Sequence, residues 1–283
     1  MTRTFPFLIS IPHGGTGVPD IIRDEFVLSE QDLTYYADPA TVDLFDFQNT
    51  VAASMHSSIS RMVVDLNRPP YPLPPRNPDG IVKRRTVDGH VVYMHGGLPP
   101  ITAIHHLLMD HYFPYHAELD RLIETRSIAI AFDCHSMLPA SPPMKKEPGK
   151  LRPLICLGNS GDVRGRPRKG RLVTCPPGWM EILAESFRDI FGLSKEVTIN
   201  TPFTGGFITN AHYWHKGVPW VQIEINRSLY EKGDLSMPGK AVPDHLRITE
   251  IRKKIRLSLE MFWDTVGQSE INQSKTLAED SRQ

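Results

Sequence analysis

Four short segments of this chain carry residue types that do chemistry. Pro12-His13-Gly14-Gly15, Asp65-Leu66-Asn67-Arg68 and Asp133-Cys134-His135-Ser136 each follow or close an apolar run, and a fourth run ends in Glu224-Ile225-Asn226-Arg227. Two histidines with carboxylates suit a catalytic zinc site, in which neutral imidazoles and a carboxylate hold the ion and one position stays open for water. Asp133 lies two residues before His135, on the same face of an extended strand, where a carboxylate orients a ligating imidazole. His13 has a second reading, as a loop histidine bonded to the turn after it. Neither spacing matches a motif as specific as HExxH, so their joint position at run ends is what sets them apart.

The carboxylate ligand is open between two residues. Asp38 precedes Pro39 at the start of a helical stretch, which fits a helix N-cap equally well; Asp43 is the other candidate. Alternation places Gln222, Glu224 and Asn226 on one strand face, and a carboxylate in a buried strand needs a partner or a task. As a general base, Glu224 would take a proton from water and pass it to a leaving nitrogen; otherwise it forms a salt bridge to a neighbouring arginine. Arg68 and Arg227 suit bidentate capture of a substrate carboxylate, or ion pairs with Asp65 or Glu224.

The elements that must position these groups follow from periodicity. Short β-branched runs at residues 5–11, 59–65, 128–133, 153–158 and 218–225 predict buried strands. Helical spacing recurs in Trp179, Ile182, Leu183, Phe187 and Ile190, in Ile248, Ile251, Ile255, Leu259 and Phe262, and over residues 101–126 with a break at Pro114. Strands alternating with helices predict an α/β sandwich with a mixed, mostly parallel sheet. Ligands of such sheets bind outside the carboxyl ends of the strands, where the four segments fall. Residues 1–266 read as one domain and 267–283 as a frayed polar tail. Residues 69–78 hold six prolines and form a stiff loop, and 145–171 read as a basic, glycine-rich surface loop.

Composition narrows the partners. Lys plus Arg and Asp plus Glu number 32 each in 283 residues, and a neutral chain argues against nucleic acid or an anionic membrane as partner. A small anionic molecule is the expected partner, and homo-oligomerisation stays open. Lys83-Arg84-Arg85 and residues 164–171 lack interleaved aromatics and read as solvated loops. Three cysteines cannot all pair within the chain, the first residues lack a signal-peptide pattern, and no run of about 18 apolar residues occurs. A cytoplasmic location is expected. His105, His106, His111 and His116 default to surface or capping roles.

Further stretches complete a pattern. Ile11-Pro12-His13-Gly14-Gly15, Val64-Asp65-Leu66-Asn67-Arg68-Pro69, Asp133-Cys134-His135-Ser136, Thr201-Pro202-Phe203-Thr204-Gly205-Gly206-Phe207-Ile208-Thr209 and Gln222-Ile223-Glu224-Ile225-Asn226-Arg227-Ser228-Leu229-Tyr230 resemble, in that order, the motifs of the N-formylglutamate amidohydrolase family. Tyr112-Phe113-Pro114-Tyr115-His116 is similar to it as well. The resemblance spans about residues 7–231. It implies a three-layer, phosphorylase/hydrolase-like α/β fold similar in plan to zinc carboxypeptidases, and a hydrolase acting on carbon-nitrogen bonds other than peptide bonds. The implied substrate is an N-acylated acidic amino acid, foremost N-formyl-L-glutamate, in histidine catabolism. The expected ligands of Zn2+, or another divalent metal, are His13, Asp38 and His135, of which the likeness itself covers His135. Glu224 and Arg68 become the catalytic candidates, and Asn67, Arg68 and Arg227 clamp carboxylates. Gly205 and Gly206 let backbone approach the substrate, and His212 becomes a substrate contact.

Two departures from the pattern stand out. Carboxypeptidases carry a Glu three residues after their first His, where this chain has Thr16, which favours Asp38 as the carboxylate ligand. Residues 159–167 also differ from the family's short glycine-containing stretch, which bears on specificity. The alternatives are a zinc peptidase or N-acyl amidase acting on another small acylated or peptide substrate, and a non-catalytic binding protein of the same fold.

Overall fold

The computed structural model describes residues 3–280 except 74, 75, 78, 95 and 96, with side chains to residue 267 apart from residue 48. Eight strands form: β1 (Phe5–Ile11), β2 (Val51–His56), β3 (Ile130–Met137), β4 (Ile155–Gly158), β5 (Val197–Ile199), β6 (Trp220–Asn226), β7 (Glu231–Gly233) and β8 (Ala241–Pro243). The helices are α1 (Asp20–Arg23), α2 (Glu30–Tyr36), α3 (Thr41–Leu44), α4 (Ile101–Leu107), α5 (Phe113–Thr125), α6 (Pro177–Phe191), α7 (Phe207–Lys216) and α8 (His245–Asp280). Six strands make one sheet in the order β2-β1-β3-β6-β4-β5, parallel throughout except where β4 runs against β6; β7 and β8 pair separately. The mixed, mostly parallel sheet matches the expectation.

Strand alternation sorts side chains between two apolar layers. Phe5, Phe7, Ile9, Phe132, Cys134, Val221 and Ile223 enter a core shared with α3, α6 and α8. Leu8, Ala131 and Trp220 face the other way, into a core with α4, α5 and α7. All of β3 and β6 is buried, as a parallel strand covered on both faces requires. The stripe Ile248, Ile251, Ile255, Leu259 and Phe262 is buried along α8, as its spacing predicts.

The structure departs from the expectations in several places. Residues 59–65 are no strand: Ile59 and Ser60 make only isolated bridges, and Val63 and Val64 donate back to Ser60 O in a turn. A short apolar run does not distinguish a buried turn from a strand, and the edge strand is β2. The unforeseen β5 is only three residues long. The break near Pro114 is a π-helical turn at Leu108–Tyr112, and Pro114 itself sits in the first turn of α5, where its missing N–H is tolerated. Helix α8 runs through Asp280; residues 281–283 of the expected polar tail lie outside the described ones. Pro74, Pro75 and Pro78 of the proline loop do too. No helix among the described residues is long and apolar enough to cross a membrane.

Candidate active site

The sheet register assembles the site. His135 on β3 pairs with Glu224 on β6, and Asp133 pairs with both Gln222 on β6 and Ser10 on β1. All of these side chains share the face opposite Cys134. His13 follows β1 at the same carboxyl edge. Asp38 arrives from α2, which starts in a Ser29/Asp32 capping box and ends at the extended residue Ala37. Asp38 does not cap α3; Ala40, in the left-handed region at φ 60°, holds that position. The Asp38 carbonyl accepts from Thr41 and its N–H donates to His13 O, which leaves the carboxylate free to face the histidines.

His13, Asp38 and His135 are all buried, and their ligand atoms lie within 4.8 Å of one another. Asp38 Oδ2 stands 2.8 Å from His135 Nδ1 and 3.3 Å from His13 Nδ1. The opposite ring nitrogens face other carboxylates. His13 Nε2 is 2.8 Å from Asp65 Oδ1, and His135 Nε2 is 2.9 Å from Asp133 Oδ2. Asp65 and Asp133 thereby call for Nε2–H tautomers, which turn both Nδ1 lone pairs toward Asp38, the arrangement of a carboxylate–histidine–metal site. The decisive detail is His13 Nδ1, buried without any hydrogen-bond partner. A divalent ion fits this donor set: it would satisfy that nitrogen and sit among two imidazoles and one carboxylate. Burial disfavours the Asp38 charge, but the two histidines outweigh it and hold its carboxyl well below the usual range. Burial likewise disfavours His135 as a cation, yet Asp133 and Asp38 push its pKa up. Asp43, the other carboxylate candidate, is exposed on α3 and takes no part.

Glu224 is buried, and Gln222 Nε2 donates to its Oε1 at 2.7 Å. No arginine pairs with it among the described residues, so the expected alternative of a salt bridge is absent. Burial is the main cause that pushes its pKa up to about 7. That value suits a group that must both take and return a proton near neutral pH.

The cleft over these residues is lined by several cations, and the structure sorts them by partner. Arg61, unforeseen, reaches Asp38 and Asp65. Lys83 is buried between Asp65 at 2.9 Å and Asp79 at 2.8 Å, so it is no solvated loop residue. Arg68 leans on Asp79, with Nε donating to the Asp79 carbonyl at 3.0 Å. Arg227 donates to Glu231 at 2.9 Å and to Tyr35 O at 2.8 Å. Both arginines line the cleft, but their partners are not the predicted Asp65 and Glu224. Arg152, also missed by sequence reasoning, reaches the wall from a segment read as surface loop. Only its place beside a buried strand hinted at this.

Three predicted substrate contacts have other commitments. Asn67 Nδ2 donates to Asp133 Oδ2 at 2.9 Å, and its Oδ1 accepts from Ile208 N at the start of α7. Gly206 lines the cleft, but its smallness serves Asn67: a Cβ there would collide with the Asn67 amide. Gly205 adopts φ 125°, a conformation open to glycine. His212 does not reach the cleft. It is buried between Asp120 Oδ1 at 2.7 Å and His116 Nδ1 at 2.9 Å, and His116 in turn reaches Leu66 O at 3.1 Å. His116 is therefore a half-buried support of the Asn67 loop rather than a surface histidine.

Comparison with known proteins agrees with this architecture. The family model described as N-formylglutamate amidohydrolase matches residues 5–231. An N-formylglutamate deformylase of Pseudomonas putida is 31% identical over 259 residues, covering 84% of this chain and 89% of that one. Its counterpart in Pseudomonas aeruginosa is 30% identical over 234 residues, covering 80% and 82%. A crystal structure of N-formylglutamate amidohydrolase from Ralstonia eutropha JMP134 shares the fold with TM-score 0.71 at 20% identity, covering 92% of this chain and 94% of that one. The chain belongs to the N-formylglutamate amidohydrolase family.

Proposed function

We propose that this protein is a metal-dependent amidohydrolase that cleaves N-formyl-L-glutamate to formate and L-glutamate. The observation that supports it best is the partnerless, buried Nδ1 of His13, facing Asp38 beside His135 Nδ1. His13, Asp38 and His135 would hold a divalent ion, zinc in the first instance. When bound, such an ion polarises the scissile carbonyl and acidifies water.

The chain's own residues do the rest. Asp65 and Asp133 fix the imidazole tautomers. Glu224, on the strand next to His135, accepts the proton of the attacking water and returns it to the nitrogen as the C–N bond breaks. The water oxygen goes to the formyl carbon, and the amine leaves as glutamate. Arg68 and Arg227 draw the anionic substrate into the cleft, each still holding an internal partner. Asn67 positions Asp133 instead of gripping substrate. Three free, buried cysteines support a reducing compartment such as the cytoplasm.

The test compares formate release from N-formyl-L-glutamate with acyl release from N-acetyl-L-glutamate and from a glutamyl peptide, alongside metal content. Preferential formate release, lost with a chelator and restored by zinc, is expected. Equal or better turnover of the acetyl or peptidyl substrate would point to the broader amidase or peptidase, and turnover indifferent to metal removal would overturn the metal site.

A further inference from the structure

Among the cations on the cleft wall, Arg152 is singular. Arg61, Arg68, Lys83, Lys145 and Arg227 each have a carboxylate partner. Arg85 has none, but it is exposed, and solvated charge costs little. Arg152 is half-buried and has no carboxylate within ion-pair distance among the described residues. Burial lowers its pKa by more than the nearby Glu224 charge raises it, which marks a cation partly stripped of water and only partly compensated.

The guanidinium is also held in a defined pose. NH1 donates to Leu138 O at 3.3 Å, just past the end of β3, and the guanidinium carbon lies 4.9 Å from the centre of the Phe203 ring. A carbonyl on one side and an aromatic face on another fix the plane of the fork while leaving donors free. Fixed, under-compensated forks recognise carboxylates bidentately. Arg152 shares the cleft with Glu224, whose charge it senses without touching it.

We infer that Arg152 is the specificity-determining residue that takes the side-chain carboxylate of the substrate, so that the cleft selects dianionic over monoanionic N-formyl amino acids. This rests on the proposed deformylase activity. The α-carboxylate is then left to Arg68, which lines the same cleft. Phe203 and Leu138 set the depth of the subsite, because both fix where the fork can lie.

The experiment measures kcat and KM for N-formyl-L-glutamate and N-formyl-L-glutamine, isosteric but for the side-chain charge, with the wild-type protein, Arg152→Gln and Arg152→Lys. Wild type is expected to favour the glutamate substrate. In R152Q the kcat/KM ratio of glutamate over glutamine substrate should fall by about 10- to 100-fold, mostly through a higher KM for the glutamate substrate, as loss of a charge-assisted pair implies. R152K keeps the charge without the fork and should fall between. It also serves if R152Q does not fold. A ratio retained in both variants overturns the assignment, as does an equal loss of kcat on both substrates, which would mean that Arg152 acts on Glu224. If wild type releases no formate from either substrate, the deformylase reading fails and Arg152's role falls with it.

Discussion

Gln222 Nε2 donates to Glu224 Oε1 at 2.7 Å from the same face of β6, the one hydrogen bond that the Glu224 carboxylate makes among the described residues. This contact favours the charged form of a group that burial pushes toward the neutral one. A protonated Glu224 cannot accept a proton, so kcat/KM should fall as pH drops through its pKa and level off above it. A bound divalent cation favours the carboxylate and moves this limb down from about 7. The comparison between variants is therefore the sharper test. Gln222→Leu removes the donor at similar size and should move the acid limb of the pH profile upward by roughly one unit. An unmoved limb would separate Glu224 from the titrating base.

Replacing the proposed base separates two roles. Glu224→Gln keeps shape but cannot take a proton, and should lower kcat by about 10²- to 10⁴-fold. Metal content should stay at the wild-type level, because His13, Asp38 and His135 are the grouped donors. A variant that loses both metal and activity would make Glu224 a ligand.

Much of this site is legible in the sequence, and the reason is the sheet. Buried strands read as apolar runs, and a parallel sheet gathers their carboxyl ends, so His13, His135 and Glu224 stand out by position. Asp133 is foreseeable from strand alternation alone. What stays hidden is the matching of charges. Lys83 and Arg61 look like solvated cations in one dimension, because nothing in their local sequence names Asp65 as the buried carboxylate they share. The true partners of Arg68 and Arg227, Asp79 and Glu231, lie within 11 residues of them. Only loop geometry selects them over Asp65 and Glu224. His212 sits close in sequence to the Gly205-Gly206 loop, yet α7 turns it toward Asp120.

Asp65 offers a test of the proposed metal-binding role of His13. It is fully buried, and although burial opposes its charge, Lys83, Arg61 and His13 hold its carboxyl well below the usual range. Asp65→Asn retains an oxygen that can accept from His13 Nε2 but weakens the polarisation of the ring. Zinc affinity, measured by competition with a chelator, should drop about 10- to 100-fold. Because Arg61 and Lys83 lose a buried counter-charge, the apoprotein should also melt earlier. Unchanged affinity would mean that His13 does not bind through Nδ1 with Asp65 behind it.

Gly206 distinguishes two reasons for a glycine in this loop. If its smallness only clears a path for substrate, Gly206→Ala should raise KM and leave stability alone. The structure puts the Asn67 amide where the new methyl would go, and that amide supports both Asp133 and the first turn of α7. The backbone at Gly206 has φ −109°, which alanine adopts freely, so the clash is the sole source of cost. Crowding of this kind typically costs about 1–3 kcal/mol. For a chain of this size that lowers the melting temperature by about 2–4 °C per kcal/mol. We therefore expect G206A to melt several degrees early and to lose kcat, since Asp133 no longer holds His135 in register with Asp38. A G206A protein with the wild-type melting temperature and only a raised KM would return the glycine to the substrate path.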